Sequence, residues 1–96
     1  VPEAERMLTE MRTDLTKALD QLARARTAKD AVKLNYVNEQ VTTMKGILRI
    51  SEDAFINLQE AISSNALEKA RYEFGKIRVS HRKMKELSAA VQNAKG

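Results

Sequence analysis

Apolar residues recur at alternating steps of three and four along almost the whole chain, the spacing that keeps one face of an α-helix out of water. In the middle third the series is Leu34, Val37, Val41, Met44, Leu48, Ser51, Phe55, Leu58 and Ile62. The first third carries Ala4, Leu8, Met11, Leu15, Ala18, Leu22 and Ala25, and the last carries Leu67, Ala70, Phe74, Ile77, His81, Met84, Ser88 and Val91. Polar residues fill most intervening positions, so each third reads as one amphipathic helix with a heptad-type seam. Met7 and Leu19, then Ile47, Ala54 and Ala61, then Leu87 and Ala94 form a second flank on each helix, giving each two neighbours to cover. Tyr36, Ile50 and Ile56 lie outside the stripes, which marks them as surface side chains or as contacts with another helix or subunit.

Pro2 with Glu3 and Glu5 suits a helix start, because proline needs no N–H in the first turn and acids there complement the dipole. Helix 1 is expected from about Pro2 to Arg26, with Thr27 or Asp30 as the N-cap of the next. Helix 2 then runs from about Asp30 to Ile62 and tolerates Gly46 as an exposed weak point. Ser63, Ser64 and Asn65 make the second turn, Ser64 or Asn65 caps helix 3, and Glu68 is the capping-box acid if Asn65 is the cap. Helix 3 is expected from Ala66 to about Ala94, with Gly96 just beyond. The steps from Ala25 to Leu34 and from Ile62 to Leu67 both break the seven-residue phase, which disfavours a continuous coiled coil. The expected fold is all-α: residues 1–96 as one domain, an up-down-up antiparallel three-helix bundle with heptad-type seams.

Composition narrows the class further. A chain of 96 residues buries only about 60–65% of its unfolded surface, so regular packing or a partner matters to its stability. No run approaches the ~20 apolar residues of a membrane span, and no apolar leader core stands at the N-terminus. The chain opens at Val1, which suits either a processed leader or a trimmed terminus. Without cysteine there is no disulfide, no thiolate nucleophile and no Cys-ligated metal in this sequence.

Little in the sequence marks a reaction. His81 is the only histidine and falls on the seam of helix 3, where Leu or Met is expected. Antiparallel pairing about the second turn sets it level with Leu48 and one layer from Ser51, the polar residue of the helix 2 seam. A buried Ser51–His81 hydrogen bond would account for both exceptions and hold the register. The functional alternative is a haem held by His81 with Met7 or Met11, although the surrounding Leu8, Leu15, Leu48 and Phe55 read more naturally as filled core. The expectation is therefore no cofactor. A di-iron site needs Glu-x-x-His motifs, whereas the acids lie off the seams or at element ends. Gly46, Gly75 and Gly96 are isolated and build no phosphate loop, and no nucleophile has both a base and an orienter, so no enzyme is expected.

Charge is uneven. Residues 1–29 hold six basic and five acidic groups, residues 30–65 three and five, and residues 66–96 eight and three, within a net charge of +4. On helix 3, Arg71, Arg78, Arg82 and Lys85 share an outward stripe beside Lys69, Lys76 and Lys83. Such a stripe meets acidic protein, anionic headgroups or phosphates, or simply keeps the surface solvated. A nucleic-acid reading lacks a recognition motif and, apart from Tyr72, aromatic residues among the basic ones.

Lys33, Leu34, Asn35, Val37, Asn38, Glu39, Lys45, Gly46, Leu48, Arg49, Ile50, Ser51 and Glu52, within Lys33 to Ala54, carry a resemblance. This run resembles a group of uncharacterised, exported all-helical proteins of delta-class proteobacteria, closely over about a quarter of the chain and more loosely over helices 1 and 3. That group usually has cysteine at position 36 and a second one past helix 3; here the residue is Tyr36, so a family disulfide is absent. The resemblance implies an all-helical fold and a periplasmic or secreted home, with a cytoplasmic one as the alternative, and brings no activity with it. Asn35, Asn38, Glu39, Lys45, Arg49 and Glu52 are mostly off the seam. With Tyr36 and the helix 3 residues Arg71, Arg78, Arg82 and Lys85, they are the expected contacts for a protein partner or a second copy.

Overall fold

The structure, a computed structural model, describes residues 1–94. Three helices account for nearly all of them: α1 (Pro2–Thr27), α2 (Ala31–Ser63) and α3 (Leu67–Gln92). Pro2 opens α1 with Glu3 and Glu5 in its first turn and Arg24 and Arg26 in its last, so both ends complement the helix dipole. The helix 3 expectation of Ala94 overshoots, since the helix stops at Gln92, and Gly96 lies outside the described residues.

Both turns use the same backbone solution. Lys29 and Asn65 take left-handed conformations with φ of 56° and 55°. The next N–H in each case reaches back to a carbonyl of the helix just ended, Asp30 to Ala25 at 3.0 Å and Ala66 to Ala61 at 2.8 Å. These are Schellman closures, which satisfy otherwise orphaned carbonyls and reverse the chain within a few residues. Asp30 then caps α2 by accepting from Lys33 N at 3.0 Å. Asn65 is spent on the left-handed turn and does not cap α3. That place falls to Ala66, which has no side-chain oxygen to offer. Ala66→Asp is therefore expected to stabilise the protein by about 1 kcal/mol, read as a rise in the denaturant midpoint at unchanged slope.

The helices form a bundle about 53 Å long and 15 to 16 Å across at the Cα level. Cross-helix contacts set the directions. Glu10 meets His81, Asp14 meets Lys85 and Gln21 meets Gln92, a constant offset that makes α1 and α3 parallel. Met11 meets Ser51 and Asn57 meets Glu73, which makes α2 antiparallel to both. This is the all-α, up-down-up bundle that the seams predict. Its centre is continuous: Met11, Ala18, Val37, Val41, Met44, Leu58, Ile77, Met84 and Val91 are all buried in one cluster.

The seams are displaced at their ends and on α3. Leu67 is 63% and Ile62 45% exposed, because the last turn of α2 and the first of α3 project past the covered part of the bundle. On α3 the buried positions are Ala70, Glu73, Ile77, Ser80, Met84 and Val91. Phe74, His81 and Ser88 are only half-buried. The helix is thus turned about its axis relative to the predicted seam, drawing Glu73 and Ser80 inward and His81 outward.

Candidate functional site

Polar chemistry concentrates first along the α1–α3 contact. His81 Nε2 donates to Glu10 Oε1 at 2.9 Å. Lys85 Nζ donates to Asp14 Oδ1 at 3.3 Å, and stands 3.0 Å from Oδ2 and 3.6 Å from Glu10. Arg6 pairs with Glu10 from one turn earlier on α1. The His81 hydrogen bond above all, and then that of Arg6, hold the Glu10 carboxyl at about 2 against an ordinary 4.5. A carboxyl so depressed binds protons less readily in the folded chain than in the unfolded one. Its contribution is complete above pH 4.5 and drains away as the pH falls towards about 2. Thermal melts of the wild type and Glu10→Gln are expected to differ at neutral pH and to converge through that acid window; a gap constant with pH would contradict the assignment.

The expected Ser51–His81 pair is not formed. Ser51 is fully buried, and its hydroxyl donates back to Ile47 O at 3.0 Å, with Met11 Sδ at 3.6 Å. A helical serine that returns its proton to the carbonyl four residues earlier needs no cross-helix partner. His81 finds its acid on α1, an element not adjacent to α3 in sequence. His81 Nε2 is thus engaged by Glu10 and Met11 faces Ser51, so two of the donor atoms in the Met–His haem alternative have other partners.

A second polar group lies against α2. Glu73 is buried, takes Lys76 Nζ at 3.0 Å and faces Asn57 Nδ2 at 3.5 Å. That hydrogen bond raises the Lys76 ammonium above its ordinary value. The same ammonium stands 4.8 Å from the centre of the Tyr72 ring, a cation–π distance. Asp14 and Glu73 lie off the predicted seams, as expected of the acids, yet both are buried, so a position off the seam does not keep an acid out of the interior.

Outside these polar groups, the α2–α3 face opens into a groove of about 480 Å³ lined by Ile50, Arg71, Tyr72, Gly75, Lys76, Val79 and Ser80. Its apolar walls are uncovered: Ile50 is 55%, Tyr72 66% and Val79 64% exposed. On the same face, towards the start of α2 and the end of α3, a second hollow of about 330 Å³ lies among Val32, Lys33, Tyr36, Ala90, Asn93 and Ala94. Arg71 also borders a hollow with Val1, Ile62, Leu67 and Phe74 at the α2–α3 turn.

The residues expected to meet a partner fall into two groups. Asn35, Asn38, Glu39, Lys45 and Arg49 are exposed on α2. Asn38, Lys45 and Glu52 share one heptad stripe, and Glu52 accepts from Arg12 of α1 at 3.2 Å, so this stripe follows the α1 shoulder. Tyr36 and Ile50, on another stripe, line the α3 side. Arg71 joins the groove, whereas Lys85 turns to Asp14 and Glu10. Arg71, Arg78 and Arg82 are exposed and form no ion pair among the described residues; the cations of α3 that do are Lys76, Lys83 and Lys85, with His81.

Sequence reasoning missed Val79 and Gly75 as surface features and Glu10, Asp14 and Glu73 as interior ones. The steps Tyr72, Lys76, Val79 carried the groove signal, an additional partly apolar stripe at helical spacing. No helix is long and apolar enough to cross a membrane, and no cluster of three or more His, Asp or Glu has metal-binding proximity among the described residues. Comparison with protein-family models, curated proteins and solved structures finds no match to this chain.

Proposed function

We propose that this chain is a non-catalytic interaction module that docks a protein partner on the outer α2–α3 face. The carrying observation is the groove itself: Ile50, Tyr72 and Val79 are each more than half exposed side by side, bordered by the unpaired Arg71. Adjacent exposed apolar and aromatic side chains beside arginine have the make-up of a binding centre. Asn38, Lys45 and Arg49, on the shoulder of α2 turned towards α1 and outside the groove, are proposed as a separate contact with the same partner. A bacterial envelope setting, periplasmic or secreted, is proposed from the resemblance carried by Lys33 to Ala54.

Affinity capture from a native envelope fraction tests this reading, with bound proteins identified by mass spectrometry. Wild type is expected to retain a specific partner, Val79→Asp to lose it, and the α1 surface variant Thr13→Asp to keep it. Arg49→Glu reports whether the α2 shoulder contributes; unchanged capture would remove that shoulder from the interface. Capture indifferent to Val79→Asp would overturn the groove as the docking centre. A second reading, binding of anionic surfaces, is favoured by the outward Arg71, Arg78 and Arg82. It predicts association with anionic vesicles that collapses as salt rises.

A further inference from the structure

We infer that the occupant of the α2–α3 groove is an amphipathic helix with an apolar stripe and an acidic flank turned towards α3, a proposal that rests on the docking reading above. Three observations carry it. First, two separate hollows lie on one helical stripe: from Val32 in one to Ile50 in the other is about 27 Å along α2, the length of a helix of about 18 residues. Apolar side chains stand at both ends, so a helix presenting residues at i, i+3, i+4 and i+7 meets both hollows.

Second, the larger hollow is charged on one wall only. Arg71 and Lys76 both come from α3, while the α2 wall contributes Ile50. Glu73 already neutralises Lys76 from inside. Arg71 has no acid among the described residues, and neither have Arg78 and Arg82 further along α3. At the larger hollow the charge left unanswered is therefore positive and comes from Arg71 of α3, and Lys33 of α2 adds a further cation at the smaller one. This calls for carboxylates on the occupant, above all on the flank that meets α3 at the larger hollow.

Third, the groove contains a glycine that the interior does not require. Gly75 sits in the middle of α3, where glycine weakens a helix. A Cβ added there meets nothing within 4 Å, and its φ is not positive. Neither packing nor backbone conformation within the chain calls for glycine. Its missing side chain leaves a notch in the groove where a second helix backbone approaches closely.

The test uses a displayed library of 18-residue helical peptides, unbiased in flank charge, selected on the full protein. Selected peptides are expected to pair an apolar stripe with an Asp/Glu flank, and to bind at least tenfold more weakly when salt rises from 50 to 300 mM. Gly75→Leu fills the notch while favouring helix, so it is expected to lose at least tenfold in affinity with helical circular dichroism kept and a melting temperature no lower than that of the wild type. Arg71→Glu is expected to weaken acidic peptides and to recover binding to peptides whose facing Glu is changed to Lys. Selection without flank preference, retained binding in Gly75→Leu, or preferential retention on phosphatidylglycerol vesicles over peptides would overturn the inference. If the captured native partner is lost from Val79→Asp but kept by Gly75→Leu and Arg71→Glu, docking on this face stands and the acidic-helix occupant fails.

Discussion

Ile77→Ala is expected to lower the unfolding free energy by about 3 kcal/mol, which for a domain of this size moves the melting temperature down by roughly 12–24 °C. Ile77 is fully buried at the centre of the bundle. Shortening it removes apolar contact and leaves a cavity that three helices, held by two tight turns, cannot close. Against a total stability of about 5–15 kcal/mol this is a large fraction. Ile50→Ala is the paired control, chemically the same change on a helix of the same bundle, and is expected to shift stability by no more than about 0.5 kcal/mol. The contrast separates core from the proposed docking surface: one isoleucine is fully buried, the other more than half exposed. Comparable losses at the two positions would mean that the groove is closed in solution.

The second large effect is expected at the α1–α3 contact. Lys85→Met leaves the Asp14 carboxylate, whose side chain is 8% exposed, without its cation, and is expected to cost about 1–3 kcal/mol. Asp14→Leu removes the buried charge itself and exposes only a lysine that already reaches solvent. It is expected to be neutral or stabilising, by up to about 2 kcal/mol. The double variant is then expected to resemble Asp14→Leu, because Lys85→Met costs little once the acid has gone. Urea unfolding of the four proteins checks this. A Lys85→Met loss that persists unchanged in the Asp14→Leu background would place the role of Lys85 elsewhere.

Much of the architecture was readable from residue spacing, because a seam at steps of three and four reports helix identity and length directly. The three helices begin and end within two residues of their expected bounds. Residue spacing locates both chain reversals, but neither Ser64 nor Asn65, the two expected caps of α3, takes that role: Ser64 closes α2, and the φ of 55° at Asn65 makes it the turn itself. Short polar residues suit both roles, and only the backbone distinguishes them.

What stayed hidden depends on how each helix is turned about its own axis. Every helix in this bundle faces two others, so a heptad locates the centre of the buried face without saying which neighbour each flank meets. Residue spacing matches His81 to α2, its neighbour in sequence, whereas in the structure it meets Glu10 of α1. Glu73 sits beside Phe74 of the predicted seam; a small rotation of α3 is enough to bury the acid and half-expose the ring. The groove was hidden for the same reason. Ile50 stood out as an apolar residue off the seam, but its proximity to Tyr72 and Val79 follows only from the register and rotation of α2 against α3.

Photo-crosslinking tests the docking account most directly. A photoreactive residue is placed at position 79 on the groove or at position 13 on the outer side of α1, and each protein is irradiated in its native envelope fraction. The account predicts a discrete covalent adduct from position 79, with the crosslinked peptide of the partner helical and acidic on one flank, and none from position 13. Equal adducts from both positions, or an adduct from position 13 alone, would contradict it.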